Sequence, residues 1–308
     1  MRIGVYLASG PLQPLEQQIS QARRLEARGI EMLWLSQLFE YEALALAALL
    51  GRETRRVALG TWVVPTYPRH PGVMAQQALT AQAASGDRLV LGIGLSHRVV
   101  IEKRLGLDFS RPVRHMREYL EVLLPLLHGE PVAHEGDRYR VRLALRIADA
   151  KPPPVLVAAL GPQMLRLSAR LADGVAIWLG GAAFLERFAL AHLREASAEA
   201  GRPLPRLAVG LPIAVCRDPA AARAEAARWL APSSALPSYR AVLARGGAAA
   251  PEDVAILGDE SHVRAELLRL AALGVSDFNA VCVPLPAEPD SLERTHALLA
   301  GLRLDRAD

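Results

Sequence analysis

The feature that most constrains this chain is an alternation of short, apolar, β-branched segments with longer segments of helical periodicity, repeated eight times. The apolar segments are the predicted strands, at residues 2–8, 32–36, 56–64, 88–95, 154–160, 174–180, 206–216 and 277–283. Strands that are apolar throughout and separated by helices form parallel sheets covered by those helices. Eight units allow the sheet to close, so the sequence predicts an α/β fold, a (β/α)8 TIM barrel, as a single domain over residues 1–308.

Two connections are longer than an ordinary loop after a barrel strand. Residues 96–153, after the fourth strand, contain an amphipathic helix and the segment VAHEGDRYRV, which alternates around Gly136-Asp137 as a β-hairpin does. Residues 217–257, after the seventh strand, are rich in alanine and arginine. Because barrel active sites lie at the carboxyl ends of the strands, both insertions are expected to overhang the site as lids.

The segment LVLGIGLSHR, residues 89–98, has two interpretations. A dinucleotide-binding fingerprint requires a third glycine where His97 stands, which disfavours a Rossmann fold. As the fourth barrel strand, the segment places Ser96 and His97 at the mouth of the barrel. Gly92 and Gly94 then either leave room for a flat ligand or pack closely inside the barrel, and the sequence leaves both alternatives open.

The composition argues against a membrane-spanning chain and against a nucleic-acid partner. The longest uninterrupted apolar run, residues 43–50, is far shorter than a spanning helix, and the amino terminus carries no signal-peptide pattern. The net charge is +4, but the arginines are spread among acidic residues and no recognisable nucleic-acid-binding module is present. We therefore expect a cytoplasmic protein that binds neither membranes nor nucleic acids.

Cysteine, lysine and histidine usage narrows the chemistry further. Cys216 and Cys282 are the only cysteines and are expected to be buried free thiols at the ends of predicted strands. Lys103 and Lys151 are the only lysines, and neither lies on a predicted strand, which disfavours a Schiff-base aldolase. We see no ligand-like spacing of histidines or carboxylates, so the sequence predicts no metal site.

Six segments, in chain order, resemble the bacterial luciferase-like superfamily, and within it the branch of oxidoreductases that use coenzyme F420, a 5-deazaflavin. They are LWLSQLF (33–39), LGTWVVPTYPRHPGVMAQQALTAQ (59–82), RLVLGIGLSH (88–97), RPVRHMREYL (111–120), AALGPQMLRLSARLADG (158–174) and LGVSDF (273–278). The resemblance implies a flavin-type ring bound without a covalent bond in the barrel mouth. Coenzyme F420 is the expected cofactor, and flavin mononucleotide (FMN) is the alternative.

The resemblance also implies where this cofactor would lie. A non-proline cis peptide within Thr61-Trp62-Val63 would press on one face of the ring, with Gly94 and Ser96 close to it. The cofactor phosphate would bind at Ala159, Leu160, Gly161 and Pro162. Independently of the resemblance, a helix that begins at Pro162 offers free N–H groups and a favourable dipole to an anion, although Gly-Pro is also a routine helix start.

The departures from the family pattern concern the acid/base residues. Many F420-dependent relatives carry Asp-His after the second strand, where this chain has Ser36-Gln37, and some carry a glutamate where Leu95 stands. Gln37 can orient a ring edge or substrate by hydrogen bonds but cannot act as a base. His97 is the remaining titratable side chain close to the expected ring, either as a proton donor or as a partner of loop backbone. Gln37 and His97 are therefore the candidate catalytic residues.

Three functions remain open from the sequence. The first is hydride transfer between F420 and a small organic substrate, and the second is an FMN-dependent monooxygenase supplied with reduced flavin by a partner reductase. The third is a flavin- or deazaflavin-binding protein without turnover. Expected partners are a small-molecule substrate, a flavin or F420 reductase as an indirect supplier, and a second copy of the chain in a homodimer. The acidic oligoglutamate tail of F420 would cross a basic cluster of Arg98, Lys103, Arg104, Arg111 and Arg114.

Overall fold

The computed structural model describes residues 1–7 and 13–302, and Ala8, the last residue of the first predicted strand, lies outside them. The strands are β1 (Arg2–Tyr6), β2 (Met32–Leu35), β3 (Ala58–Thr61), β4 (Val64–Pro65), β5 (Leu89–Gly94), β6 (Val132–Glu135), β7 (Arg140–Leu143), β8 (Val155–Ala158), β9 (Gly174–Trp178), β10 (Arg206–Val215), β11 (Ile256–Gly258) and β12 (Asp277–Cys282). The order β1-β2-β3-β5-β8-β9-β10-β12 closes on itself through parallel pairing of β12 with β1. The predicted eight-stranded parallel barrel is therefore confirmed.

Helices follow the barrel strands and cover the outside of the sheet. They are α1 (Leu15–Ala27), α2 (Ala43–Glu53), α3 (Pro71–Ser85), α4 (Pro112–Leu127), α5 (Pro162–Leu171), α6 (Ala182–Phe184), α7 (Leu190–Glu199), α8 (Pro219–Ser234), α9 (Pro237–Gly246), α10 (Glu260–Ala272) and α11 (Ser291–Gly301). The carboxylate of Asp259 accepts a hydrogen bond from the N–H of His262 and caps the amino terminus of α10. Within the described ranges, no helix is both long and apolar enough to cross a lipid bilayer.

The two long connections contain helices as well as loops. Between β5 and β8 lie a π-helical turn (Val99–Arg104), α4 and the antiparallel hairpin of β6 and β7, which confirms the hairpin prediction. The carboxylate of Glu118 on α4 accepts hydrogen bonds from the N–H groups of three consecutive hairpin residues, Asp137, Arg138 and Tyr139. Between β10 and β12 the chain forms α8, α9, a short 3₁₀ turn, β11 and α10.

Side chains alternate along the barrel strands between the outer core and the barrel interior. The interior cluster contains Met32, Trp34, Ala58, Val90, Leu156, Ala176 and Ala208. The indole of Trp34 fills space that side chains at Gly4 and Gly60 would occupy, since its Nε1 lies 2.5 Å from the ideal Cβ position at Gly4. At the amino-terminal end of the barrel, Asp277 forms ion pairs with Arg2 and Arg206.

The cysteine prediction is also confirmed, because Cys216 and Cys282 are both buried free thiols. Burial raises the pKa of the Cys216 thiol to about 11 and that of Cys282 to about 12. Both groups are therefore neutral at pH 7 and behave as small apolar side chains.

Candidate active site

The candidate site lies at the carboxyl ends of the barrel strands, where aromatic side chains gather. Trp62 follows β3 and Trp178 ends β9, and both indoles occupy the space beside Gly210 of β10, at 2.7 and 3.0 Å from its ideal Cβ position. Trp62 also packs edge-on against Trp34, with ring centroids 5.0 Å apart at 73°. The mouth of the barrel therefore has an aromatic floor, suited to a flat or partly apolar ligand.

The peptide bond between Trp62 and Val63 is cis, as expected for the segment Thr61-Trp62-Val63. Thr61 itself is fully buried, and its hydroxyl both donates to the carbonyl oxygen of Gly92 at 2.7 Å and accepts from the Gly92 N–H at 2.8 Å. The Thr61 side chain therefore joins β3 to β5 and holds the strand that carries Trp62.

The glycines of the fourth barrel strand allow close packing. A Cβ at Gly92 would collide with the carbonyl oxygen of Thr61, and one at Gly94 would lie 2.5 Å from Cγ2 of Val63. Of the two alternatives that the sequence left open, the structure shows the second. The space next to Gly94 is occupied by the Val63 side chain, so a ligand would meet Gly94 only through its backbone.

Ser96 and His97 follow β5 in a turn that needs a left-handed residue, with φ of 59° at Ser96. The His97 ring contacts the first turn of α9, with Nε2 at 3.1 Å from the hydroxyl of Tyr239 and Nδ1 at 3.5 Å from Oγ of Ser238. The two insertions therefore meet at His97, over the carboxyl end of β5.

Burial determines the protonation states of this pair. It lowers the pKa of His97 and raises the pKa of Tyr239 to about 12, so the imidazole is neutral and the phenol protonated at pH 7. In either neutral tautomer one ring nitrogen donates and the other accepts, and the Tyr239 and Ser238 hydroxyls can each take the matching role. Both ring nitrogens of His97 therefore face hydroxyl groups of α9, Tyr239 and Ser238, which sequence reasoning missed.

Gln37 lies between β2 and α2, where its side-chain oxygen accepts a hydrogen bond from the N–H of Ala43 at 2.8 Å. This bond caps the first turn of α2 together with the carboxylate of Glu42. Just before it in the chain, Ser36 receives a hydrogen bond of 2.6 Å from the hydroxyl of Tyr6, whose pKa burial raises. The carbonyl end of Gln37 is therefore used by the fold, and its amide Nε2 is the end that a ligand would meet.

The segment after β8 divides into a buried and an open part. Ala159 is buried, and its N–H donates to the carbonyl of Ala176 at 3.1 Å. Gly161 caps α5 without a side-chain partner, and a Cβ there would meet no atom within 4 Å. Pro162 is the first helical residue, and the next two N–H groups lack intrahelical partners.

Arg245 of α9 brings a positive charge to this segment. Its guanidinium donates to the carbonyl oxygen of Leu160 at 3.1 Å and lies 4.5 Å from the centre of the Phe188 ring. A helix amino terminus beside a guanidinium has the electrostatics of an anion site. Arg245 and Tyr239 lie in the alanine- and arginine-rich insertion, where no periodic pattern distinguishes them from their neighbours.

The basic cluster after β5 is largely paired. Arg98 forms an ion pair with Glu102, while Arg111 and Arg114 both pair with Asp137. The guanidinium of Arg104 lies 4.9 Å from the centre of the Phe39 ring, and no carboxylate partner of Lys103 or Arg104 is present among residues 1–7 and 13–302. In those same ranges, no three histidine, cysteine or acidic side chains come together as a metal site.

A closed parallel barrel with aromatic and polar side chains at the carboxyl ends of its strands is of the type that holds its ligand in the barrel mouth. Residues 1–278 match the model of the luciferase-like monooxygenase family. The chain belongs to this family.

Two relatives with different activities are similar to this chain in sequence. A 5,10-methylenetetrahydromethanopterin reductase of Archaeoglobus fulgidus is 31% identical over 153 residues, which are 49% of this chain and 46% of the relative. An F420-dependent glucose-6-phosphate dehydrogenase of Nakamurella multipartita is 35% identical over 164 residues, 51% of this chain and 48% of that protein. The chain thus spans about half the length of the curated relatives it matches.

Solved structures resemble the chain over nearly its whole length. An F420-dependent secondary alcohol dehydrogenase in complex with an F420-acetone adduct has a TM-score of 0.77 at 18% identity, covering 96% of this chain and 98% of its own. The oxygenating constituent of 3,6-diketocamphane monooxygenase from Pseudomonas putida, in complex with FMN, has a TM-score of 0.78 at 16% identity, covering 98% and 97%. At these identities the likeness shows the fold.

Proposed function

We propose that the protein is an oxidoreductase that transfers a hydride between coenzyme F420 and a small organic substrate. The observation that carries the proposal is the open, uncapped start of α5 at Gly161, beside Arg245, on the mouth whose floor is Trp62. That combination suits a ligand with a flat ring and a phosphate. Two relatives, the dehydrogenase of Nakamurella multipartita and the structurally similar alcohol dehydrogenase, are F420-dependent.

Each residue has a distinct part in this proposal. The N–H groups following Gly161 and Pro162, together with Arg245, would hold the phosphate. Trp62 and Val63 would support one face of the ring, with Gly94 and Ser96 contributing backbone contacts. When bound, F420 would supply the carbon that gives or receives the hydride.

The polar residues would orient the reactants and manage a proton. Neutral His97 carries a proton on one ring nitrogen and a lone pair on the other, so it can give or take a proton, and its Nε2 shares a hydrogen bond with the Tyr239 hydroxyl. The amide of Gln37 can donate to a ring edge or a substrate oxygen but cannot remove a proton. The half-buried side chains of Trp62, Leu95 and Trp178 indicate a partly apolar substrate. The proposal includes a reductase that supplies the reduced cofactor and a homodimer as the working form.

Binding and single-turnover measurements test this proposal. We expect the purified protein to bind F420, measured by quenching of deazaflavin fluorescence, more tightly than FMN. We further expect reduced F420 to be oxidised in a single turnover by ketones, imines or activated alkenes under nitrogen. Preference for FMN, with substrate oxidised only when oxygen is present, would replace the proposal by the second candidate.

The second candidate is an FMN-dependent monooxygenase supplied by a partner reductase. It is favoured by membership of the luciferase-like monooxygenase family and by the similar structure that holds FMN. Tight F420 binding without turnover of any acceptor would instead support the third candidate, a binding protein. This outcome is consistent with the absence, near β2 and β5, of the acidic and histidine residues that many F420-dependent relatives carry.

A further inference from the structure

The barrel interior contains buried polar atoms that have no hydrogen-bond partner among the described residues. Asn279 of β12 and Trp34 of β2 are both 0% exposed. No described residue accepts from Nδ2 of Asn279 or Nε1 of Trp34, and none donates to Oδ1 of Asn279. Buried polar groups in folded proteins are nearly always hydrogen-bonded, so three such atoms in one barrel indicate a ligand.

Strand register places Asn279 and Trp34 together inside the barrel. Along β12, Phe278, Ala280 and Cys282 belong to the outer core, so Asn279 lies on the opposite, interior face. Asn279 is the register partner of Gly4 on β1, and Nε1 of Trp34 lies 2.5 Å from the ideal Cβ position at Gly4. Neighbouring strands are about 4.8 Å apart, a spacing that one bridging atom spans.

The surroundings of this pocket are otherwise apolar. Asn279 is also the register partner of Gly210, whose missing side chain leaves the space occupied by the indoles of Trp62 and Trp178. Both register partners of Asn279 are therefore glycines whose side-chain space is filled by tryptophan indoles, and the charged cluster of Asp277 with Arg2 and Arg206 is already paired. A charged ligand would be costly to bury here, whereas a neutral one would not.

We propose that the Asn279 amide and the Trp34 indole form a binding site for a single hydroxyl group. A hydroxyl oxygen accepts two hydrogen bonds and donates one, which matches two N–H donors and one carbonyl acceptor. A ketone or ether oxygen would leave Oδ1 of Asn279 without a donor. Water and the hydroxyl of a small alcohol share this chemistry. Buried waters typically make about three such bonds.

The site has a structural consequence for the mouth. A hydroxyl bound at Nε1 fixes the Trp34 indole, against which Trp62 packs edge-on. Asn279 and Trp34 are therefore positioning residues for the aromatic floor. This inference does not depend on which cofactor the protein uses, since it concerns the protein alone.

The test is water NMR on the protein with ¹⁵N-labelled tryptophan. The Trp34 Nε1–H resonance is assigned by its loss in Trp34→Phe, and we expect an NOE from this proton to a long-lived water. Trp229, half-buried on α8, is the internal control for surface exchange. Loss of the water NOE on adding 2-propanol, with a new NOE to the alcohol, would assign the site to alcohols, and its retention would assign it to water.

The variant Asn279→Leu removes two of the three hydrogen-bonding groups. We expect it to abolish the NOE and to shift the Trp34 Nε1–H resonance upfield, while the Trp229 resonance stays in place. An unchanged NOE in this variant, or none in the wild-type protein to water or alcohol, overturns the proposal. If the variant does not fold, a high-resolution crystal structure of the wild-type protein decides. Electron density within hydrogen-bond distance of Nε1, Nδ2 and Oδ1 supports the site, and its absence rejects it.

Discussion

Nε2 of His97 lies 3.1 Å from the hydroxyl of Tyr239, although the two residues are 142 positions apart in the chain. His97 lies at the start of the insertion after β5, and Tyr239 belongs to the insertion after β10. The hydrogen bond therefore connects the two insertions, which follow the carboxyl ends of β5 and β10.

Removing the Tyr239 hydroxyl should uncouple these segments. A neutral hydrogen bond contributes about 1 kcal/mol net, so a double-mutant cycle of Tyr239→Phe with His97→Leu is expected to show a coupling of about 1 kcal/mol in the free energy of unfolding. The measurement is urea denaturation of all four proteins. Tyr41→Phe, at a partly exposed tyrosine outside this contact, serves as the matched control and should show no coupling with His97→Leu. Additive effects of the first pair would contradict the assignment.

Gly161→Asp should separate phosphate binding from stability. Gly161 is the amino-terminal cap of α5 in extended conformation with open space at its Cβ, so aspartate is expected to cap the helix and to keep or raise the melting temperature. Its charge would repel a phosphate, and we expect affinity for the cofactor to fall about tenfold, or ~1.4 kcal/mol. Gly161→Ala is the control and should bind normally. Unchanged affinity in Gly161→Asp would move the phosphate site elsewhere.

Arg104 should recognise the acidic tail of F420, because it lacks a described carboxylate partner, unlike Arg98, Arg111 and Arg114. Exposed ion pairs contribute ~0.2 to 1 kcal/mol each and are screened by salt. Arg104→Glu is therefore expected to weaken binding of long-tailed F420 a few-fold more than binding of a tailless analogue, and only at low salt. Fluorescence titration of both cofactors at two salt concentrations measures this.

The control for this charge reversal is Arg24→Glu, an exposed arginine in the last turn of α1, at the opposite end of the barrel. It should affect both cofactors equally. If Arg104→Glu behaves in the same way as Arg24→Glu, the tail does not cross the segment after β5.

Asp277 should determine part of the acid sensitivity of the fold. Burial alone would raise the pKa of Asp277, but the guanidinium groups of Arg2 and Arg206 lower it further than burial raises it. The pKa of Asp277 in the folded protein therefore lies below its unfolded value of about 3.9. The resulting stabilisation of the folded state is complete above about pH 3.9 and is lost as the pH falls through the folded-state pKa. Asp277→Asn is expected to cost about 3 kcal/mol at pH 7, by leaving two guanidinium groups unpaired.

The stability of Asp277→Asn should differ less from that of the wild-type protein at acidic pH. Urea denaturation of both proteins at pH 7 and pH 3 measures this. We expect the difference in unfolding free energy between wild type and Asp277→Asn to be smaller at pH 3 than at pH 7. Asp290→Asn, which removes the exposed partner of Arg217, is the control and should cost less than about 1 kcal/mol. An equal cost of Asp277→Asn at both pH values would exclude the ion pairs as its cause.

The barrel was predictable because burial on both faces makes every barrel strand apolar, and that signal is local in sequence. The start of α5 at Pro162 was predictable for the same reason, since proline favours the first helical position. The sequence also singled out the cis peptide segment at Trp62, through its resemblance to a family.

The details of the site were less accessible because they depend on contacts distant in sequence. Nothing near Gln37 reveals that its oxygen caps α2, and nothing near Gly94 shows that Val63 fills the space beside it. Tyr239 lies in a segment of low complexity, and its role follows only from where α9 meets His97. A polar residue in the apolar strand DFNAVC was a visible signal for Asn279, but its meaning required the register with Gly4.

One indole fills the space of two missing side chains inside the barrel, and this packing constrains how the sequence can evolve. Gly4 and Gly60 carry no side chain where the Trp34 indole lies, and a methyl group at either position would overlap that ring. Alanine at Gly60 is therefore tolerated only after Trp34 has become smaller, while a smaller residue at Trp34 alone leaves a cavity beside two glycines. Either first step is deleterious, so descendants of this chain are expected to keep or lose the three residues together, as one inherited unit.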